Sequence, residues 1–113
     1  MKIAIVGSRT FNEYETLRAT LEPYKDKITE IVSGGARGAD TLGERWAKEH
    51  NKKITIFYPD WDTHGKAAGF IRNKDIVENS EGVVAFWDGK SKGTVHSMKL
   101  AEKLDKPLKV VGF

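Results

Sequence analysis

Residues 33 to 40 read Ser33-Gly34-Gly35-Ala36-Arg37-Gly38-Ala39-Asp40, three glycines and an arginine between an apolar run and a helical one. Glycines at this density allow a tight turn whose main-chain N–H groups converge at a helix N-terminus, where the helix dipole also favours negative charge. The spacing is neither G-x-G-x-x-G nor that of a P-loop, because no Gly-Lys-Ser/Thr follows. The chemistry it suits is retention of a phosphate, carried by a nucleotide or a nucleotide-derived metabolite, with Ser33, Gly34, Gly35, Arg37 and Gly38 around it. Asp40 has two readings: a first-turn acid that complements the dipole, or a polar contact to a ribose or a metal.

Three other segments offer matching groups. Gly7-Ser8-Arg9 supplies a close backbone approach and two donors for an anion. The stretch from Tyr58 to Ala68 reads as a long loop containing Lys66, and Arg72-Asn73 follows near a predicted helix start, where positive charge opposes the dipole unless an anion offsets it. Trp61, Phe70 or Trp87 could stack on a base. Trp87-Asp88-Gly89-Lys90-Ser91-Lys92-Gly93-Thr94 offers Asp88, Gly93 and Thr94, with Ser91 or Thr94 placed to cap a helix and Lys90 and Lys92 at a solvated loop tip. Should the chain catalyse a reaction, Asp40, Glu44 and Asp88 are the acid/base candidates. The histidines, His50, His64 and His96, lack carboxylate partners at ligand spacing, and there is no cysteine, so no metal site is expected.

These loops need a frame. Apolar runs rich in β-branched residues, Ile3 to Val6, Ile28 to Val32, Ile54 to Phe57, Val83 to Trp87 and Leu108 to Val111, have the continuous apolar character of strands buried on both faces of a parallel sheet. Between them lie helical stripes: Tyr14, Leu17, Leu21, Tyr24; Ala39, Leu42, Trp46; a less periodic one near Ile71 to Asn79; and Val95, Met98, Ala101, Leu104. Asn12 with Glu15 is the expected cap of the first helix, and Pro23 its stop. The βαβαβαβαβ alternation predicts an α/β fold, one Rossmann-like domain over residues 1–113 with an open parallel five-stranded sheet of order 3-2-1-4-5 and helices on both faces. Ligands then bind beyond the carboxyl ends of the strands, where the strand order reverses.

At 113 residues the chain supports a single core. The apolar run before Gly7 is too short for a signal peptide or a membrane span, so a cytoplasmic protein without membrane association is expected. A net charge of +3, spread evenly, favours anionic ligands only mildly.

Taken together, Gly7-Ser8-Arg9, residues 33–40, the run from His64 to Asn73 and Lys92-Gly93-Thr94 resemble the SLOG superfamily, and more narrowly its small YspA-related members, over essentially the whole chain. The resemblance implies a Rossmann-like fold that binds nucleotides or nucleotide-derived ligands. Two relatives are better understood: the LOG phosphoribohydrolases, which cleave base from nucleoside monophosphates, and DprA, which binds single-stranded DNA and has a turn similar to residues 33–40. LOG enzymes carry an arginine that matches Arg72 and a P-G-G-x-G-T-x-x-E motif in which Gly93-Thr94 aligns with the G-T. Ser97 falls where the glutamate belongs and cannot supply its charge.

The resemblance therefore implies binding or sensing of a nucleotide-derived small molecule. N-glycosidic hydrolysis through Asp40, Glu44 or Asp88 is the alternative, and DprA-like single-strand binding a further one. No resident cofactor is expected, and whether a divalent ion accompanies the ligand phosphates is open. A homo-oligomer is compatible with the resemblance, since LOG relatives associate through helices.

Overall fold

The computed structural model describes every residue from Met1 to Phe113. Five strands form one parallel sheet: β1 (Lys2–Gly7), β2 (Glu30–Ser33), β3 (Lys53–Ile56), β4 (Gly82–Trp87) and β5 (Leu108–Gly112), in the order β3-β2-β1-β4-β5. Ala4 sits at the centre, beside Val32 on one neighbour and Val83 on the other. The helices are α1 (Tyr14–Leu21), α2 (Ala39–Glu49), α3 (Trp61–His64), α4 (Ala68–Glu78) and α5 (Lys92–Lys103).

Alternation along the strands assigns each residue to a face. Ile3 and Ile5 of β1 point to the side covered by α1 and α2, where they meet Leu17, Leu21, Trp46 and Phe86. Ala4 and Val6 point to the opposite side, where Val77 of α4 and Ala101 of α5 close a second core. Each inner strand is thus buried on both faces, while the edge strands β3 and β5 are half-exposed. The runs in β1 and β4 are apolar throughout, Ile3 to Val6 and Val83 to Trp87, but the run expected in β2 is interrupted: Glu30 and Ser33 are buried beside Ile31 and Val32. Glu30 accepts from the Thr55 hydroxyl at 2.8 Å and Ser33 donates to Glu44 at 2.7 Å.

Several local expectations change. The first helix is preceded by Glu13, which makes no side-chain cap, so the Asn12–Glu15 box does not form. Glu15 instead pairs with Arg18 one turn on, at 2.9 Å. Pro23 lies in a 3-10 turn, Glu22–Tyr24, that leaves Tyr24 exposed rather than extending the buried stripe. The second strand begins at Glu30, and Ile28, though buried, precedes it.

The segment after β3 is not an open loop. Asp60 caps α3 by accepting from the Thr63 N–H at 3.1 Å, and a 3-10 turn at Gly65–Ala67 leads directly into α4. The helix therefore starts at Ala68, which places Arg72 in its second turn, where the dipole no longer opposes its charge.

Candidate functional site

Strand order reverses between β1 and β4, so their carboxyl ends diverge into connections that leave a gap. A cavity of about 110 Å³ occupies it. Val6 and Gly7 reach it from the end of β1, Arg9 from the β1–α1 connection, Ala36 from the β2–α2 turn, Asp40 from the first turn of α2, Arg72, Asn73 and Ile76 from α4, and Ser91, which caps α5, with Gly93, Thr94 and Ser97 of that helix. Burial gives it polarity. Asp40, Asn73, Thr94 and Ser97 are buried, whereas Arg9 and Gly93 are exposed at the mouth.

Of the residues proposed from sequence, Gly7, Arg9, Asp40, Arg72, Asn73, Gly93 and Thr94 meet here. Others stand behind them. Ser8 is buried, and its hydroxyl accepts from the Asp88 N–H at 3.2 Å. Ser33 ends β2 and donates to the Glu44 carboxylate at 2.7 Å, so both are engaged with each other outside the lining. Gly35 lies under the Tyr58 ring. Arg37 and Lys66 are exposed and do not line the cavity.

Asp88 is likewise outside. Its Oδ1 accepts the N–H groups of Lys90 (2.8 Å) and Ser91 (2.9 Å), and these bonds hold its carboxyl below the usual aspartate range, the wrong direction for a proton donor.

The glycine turn is held from within. Gly35 N–H donates to the Ser33 hydroxyl at 3.2 Å and Ala36 N–H to Asp40 Oδ2 at 3.2 Å, while the Gly34 carbonyl accepts from Arg72 Nη1 at 2.7 Å. A side chain at Gly34 would meet Arg72 Nη1 at 2.7 Å and Asp40 Oδ2 at 2.9 Å. Gly38, with φ of 78°, packs against the main chain of Ser8 and Arg9, so the turn and the β1–α1 connection brace each other.

Arg72 also donates through Nε to Asn73 Oδ1 at 3.1 Å, and Asn73 Nδ2 approaches His96 Nδ1 at 3.3 Å. A hydrogen-bonded chain therefore runs from the β2–α2 turn through α4 to α5.

The electrostatics follow from this packing. Burial pushes the Asp40 carboxyl up to about 6, against the opposing pull of the Ala36 N–H and Arg72. Burial also lowers Arg72, with Asp40 acting to raise it and Arg9 to lower it further. His96 is lowered by burial, and its neutral Nδ1 can accept from Asn73.

Val6, Ala36, Ile76, Ser91 and Ser97 also line the cavity, and nothing in their residue types alone marks them as ligand contacts. Ser91, Thr94 and Ser97 share one face of α5 at intervals of three, as do Asn73 and Ile76 on α4, and that spacing is the signal that could have found them. No three His, Cys, Asp or Glu side chains cluster to hold a metal, and no helix is long and apolar enough to cross a membrane.

A larger hollow, about 280 Å³, lies at the amino ends of β1, β4 and β5. It is lined mainly by apolar groups such as Ile3, Leu21 and Val84, with Glu81 and Lys109 its only charged side chains, so it lacks the convergent polar groups of a ligand site.

Known proteins can now be set beside this geometry. The family model described as "YspA, cpYpsA-related SLOG family" matches residues 1–64. The gene 61 protein of Mycobacterium phage D29 is 35% identical over 119 residues, covering 95% of this chain and 93% of its own length. Among solved structures, DNA processing protein A of Helicobacter pylori, described there in its single-stranded DNA binding mode, superposes with a TM-score of 0.76 at 23% identity over 97% of this chain and 64% of its own. DprA of Streptococcus pneumoniae gives 0.79 at 19% identity over 96% and 49%. At these identities the two structures establish the shared fold, and the chain spans less than two thirds of either.

Proposed function

The chain belongs to the YspA, cpYpsA-related SLOG family, and on that footing we propose that the cavity binds the anionic group of a nucleotide or nucleotide-derived ligand. One observation carries the reading: two guanidinium groups, Arg9 and Arg72, line a cavity whose only carboxylate is Asp40. An unpaired charge in a part-buried site costs free energy and like charges held close cost more, so a ligand anion offsets the repulsion between Arg9 and Arg72. The first-turn N–H groups of Lys92 and Gly93, left without intrahelical partners as at any helix start, add donors at the same mouth. Tyr58, Trp61 and Phe70 are the most exposed large apolar side chains and flank this end of the molecule, available to a base.

The test is calorimetric titration with AMP, ADP-ribose and inorganic phosphate, repeated on Arg9→Ala. Binding by the wild type that weakens about ten- to hundredfold in the variant supports the reading, as expected for loss of a charge-assisted hydrogen bond. No binding of any of the three would refute it.

A second reading, cleavage of an N-glycosidic bond, is favoured by the Asp40 carboxyl, which at about 6 is suited to proton transfer near neutral pH. Release of free base from AMP that Asp40→Asn abolishes would establish it. The single-stranded DNA binding described for the Helicobacter protein predicts instead a steep loss of oligonucleotide affinity with salt.

A further inference from the structure

We propose that Asp40 is itself a ligand of the bound anion, and that it takes up one proton when the cavity fills, so that a carboxylic acid faces the incoming group. The inference rests on the anion-binding reading above.

Asp40 is only 7% exposed yet lines the cavity. Its Oδ2 accepts from the Ala36 N–H at 3.2 Å with the Gly34 main chain also beside the carboxyl, and Oδ1 makes no hydrogen bond to another side chain. The groups facing it from each packed element are few. α4 presents Arg72, the β1–α1 connection presents Arg9, and the β2–α2 turn presents the Gly34 and Ala36 main chain. Glu44 lies one turn along α2, and α5 contributes the uncharged Ser91, Thr94 and Ser97.

An anion drawn in by the two arginines therefore arrives next to a buried carboxylate. Two negative groups in one desolvated site disfavour ionisation of the weaker acid. The empty site has already brought the Asp40 carboxyl to about 6, so little further rise is required. A proton from solution adds to Oδ1, and the resulting O–H donates to an anion oxygen while Oδ2 keeps the Ala36 N–H. No other bond forms or breaks.

Sulfate is the probe, because its charge is constant across the range in which Asp40 titrates. The Asp40 side-chain carboxyl carbon, assigned by its disappearance in Asp40→Asn, is followed by NMR against pH with sulfate and with chloride at matched ionic strength. The expected result is an upward move of its midpoint by about one pH unit or more in sulfate, with wild-type affinity falling roughly tenfold through the same range. Asp40→Asn, a neutral mimic that keeps an oxygen for the Ala36 N–H, should bind sulfate with an affinity independent of pH. An unmoved or lowered midpoint, while the Gly93 and Thr94 amide signals report binding, would overturn the proton uptake and leave anion binding standing. Unmoved amide signals at every pH would overturn both.

Discussion

Removing an arginine that fastens the main chain has two effects, and removing one that does not has a single effect. Arg72 holds the Gly34 carbonyl and the Asn73 amide, whereas Arg9 is exposed and makes no side-chain hydrogen bond within the chain. Arg9→Ala is therefore expected to weaken anion binding by about 1.5–3 kcal/mol with little change in melting temperature. Arg72→Ala should lower both, because the carbonyl and amide it leaves behind are part-buried and unpaired. Calorimetry and thermal melts on the same samples separate the two. The glycine between Arg72 and Asp40 is as constrained as either: Gly34→Ala puts a methyl group where Arg72 Nη1 and Asp40 Oδ2 stand at 2.7 and 2.9 Å. A loss of about 1–3 kcal/mol in denaturant unfolding is expected. Equal stability with intact binding would show that the two side chains move aside freely.

Elements differ in how much of their character a sequence exposes. The strands β1 and β4 were legible because burial on two faces favours apolar residues, so Ile3 to Val6 and Val83 to Trp87 stand out and their alternation with helices points to the sheet order, whereas β2 is shorter and holds the hydrogen-bonded polar Glu30 and Ser33. The start of α4 was not legible. Gly65 to Gly69 contains two glycines and little periodicity, and its helical form depends on the preceding turn at Asp60 and on burial of Ala68, Ile76 and Val77. Part of the cavity was hidden for a related reason: Ser91 reads only as a helix cap and Ser97 as an ordinary helix residue until the fold turns that face of α5 towards α4. Ser91 holds α5 in place by accepting from the Thr94 N–H at 3.3 Å and from its hydroxyl at 2.9 Å. Ser91→Ala should cost about 1 kcal/mol of stability through the lost cap. Because Thr94 and Gly93 sit at the cavity mouth, it should also weaken phosphate binding. An unaffected affinity would separate the order of the cap from that of the site.

For the molecule as a whole, a carboxylate buried at the junction of the sheet and three helices is an unfavourable feature that folding must offset. Domains of this size are stable by only about 5–15 kcal/mol. The Asp40 carboxyl moves from the ordinary 3.8 to about 6 on folding because burial disfavours its charge. The folded state therefore holds the proton more tightly than the unfolded chain. Its contribution to stability is complete below about pH 4 and disappears as pH rises through about 6, a loss of roughly 2–3 kcal/mol. Asp88 and Asp60, held low by hydrogen bonds, contribute the other way and lose stability as pH falls, so the wild-type curve alone does not isolate Asp40. The difference between Asp40→Asn and wild type does. It should be near zero at about pH 4 and grow until about pH 7, where the asparagine form melts several degrees higher. A difference that stays flat across that interval would mean that the arginines opposite Asp40 already offset the cost of burying its charge.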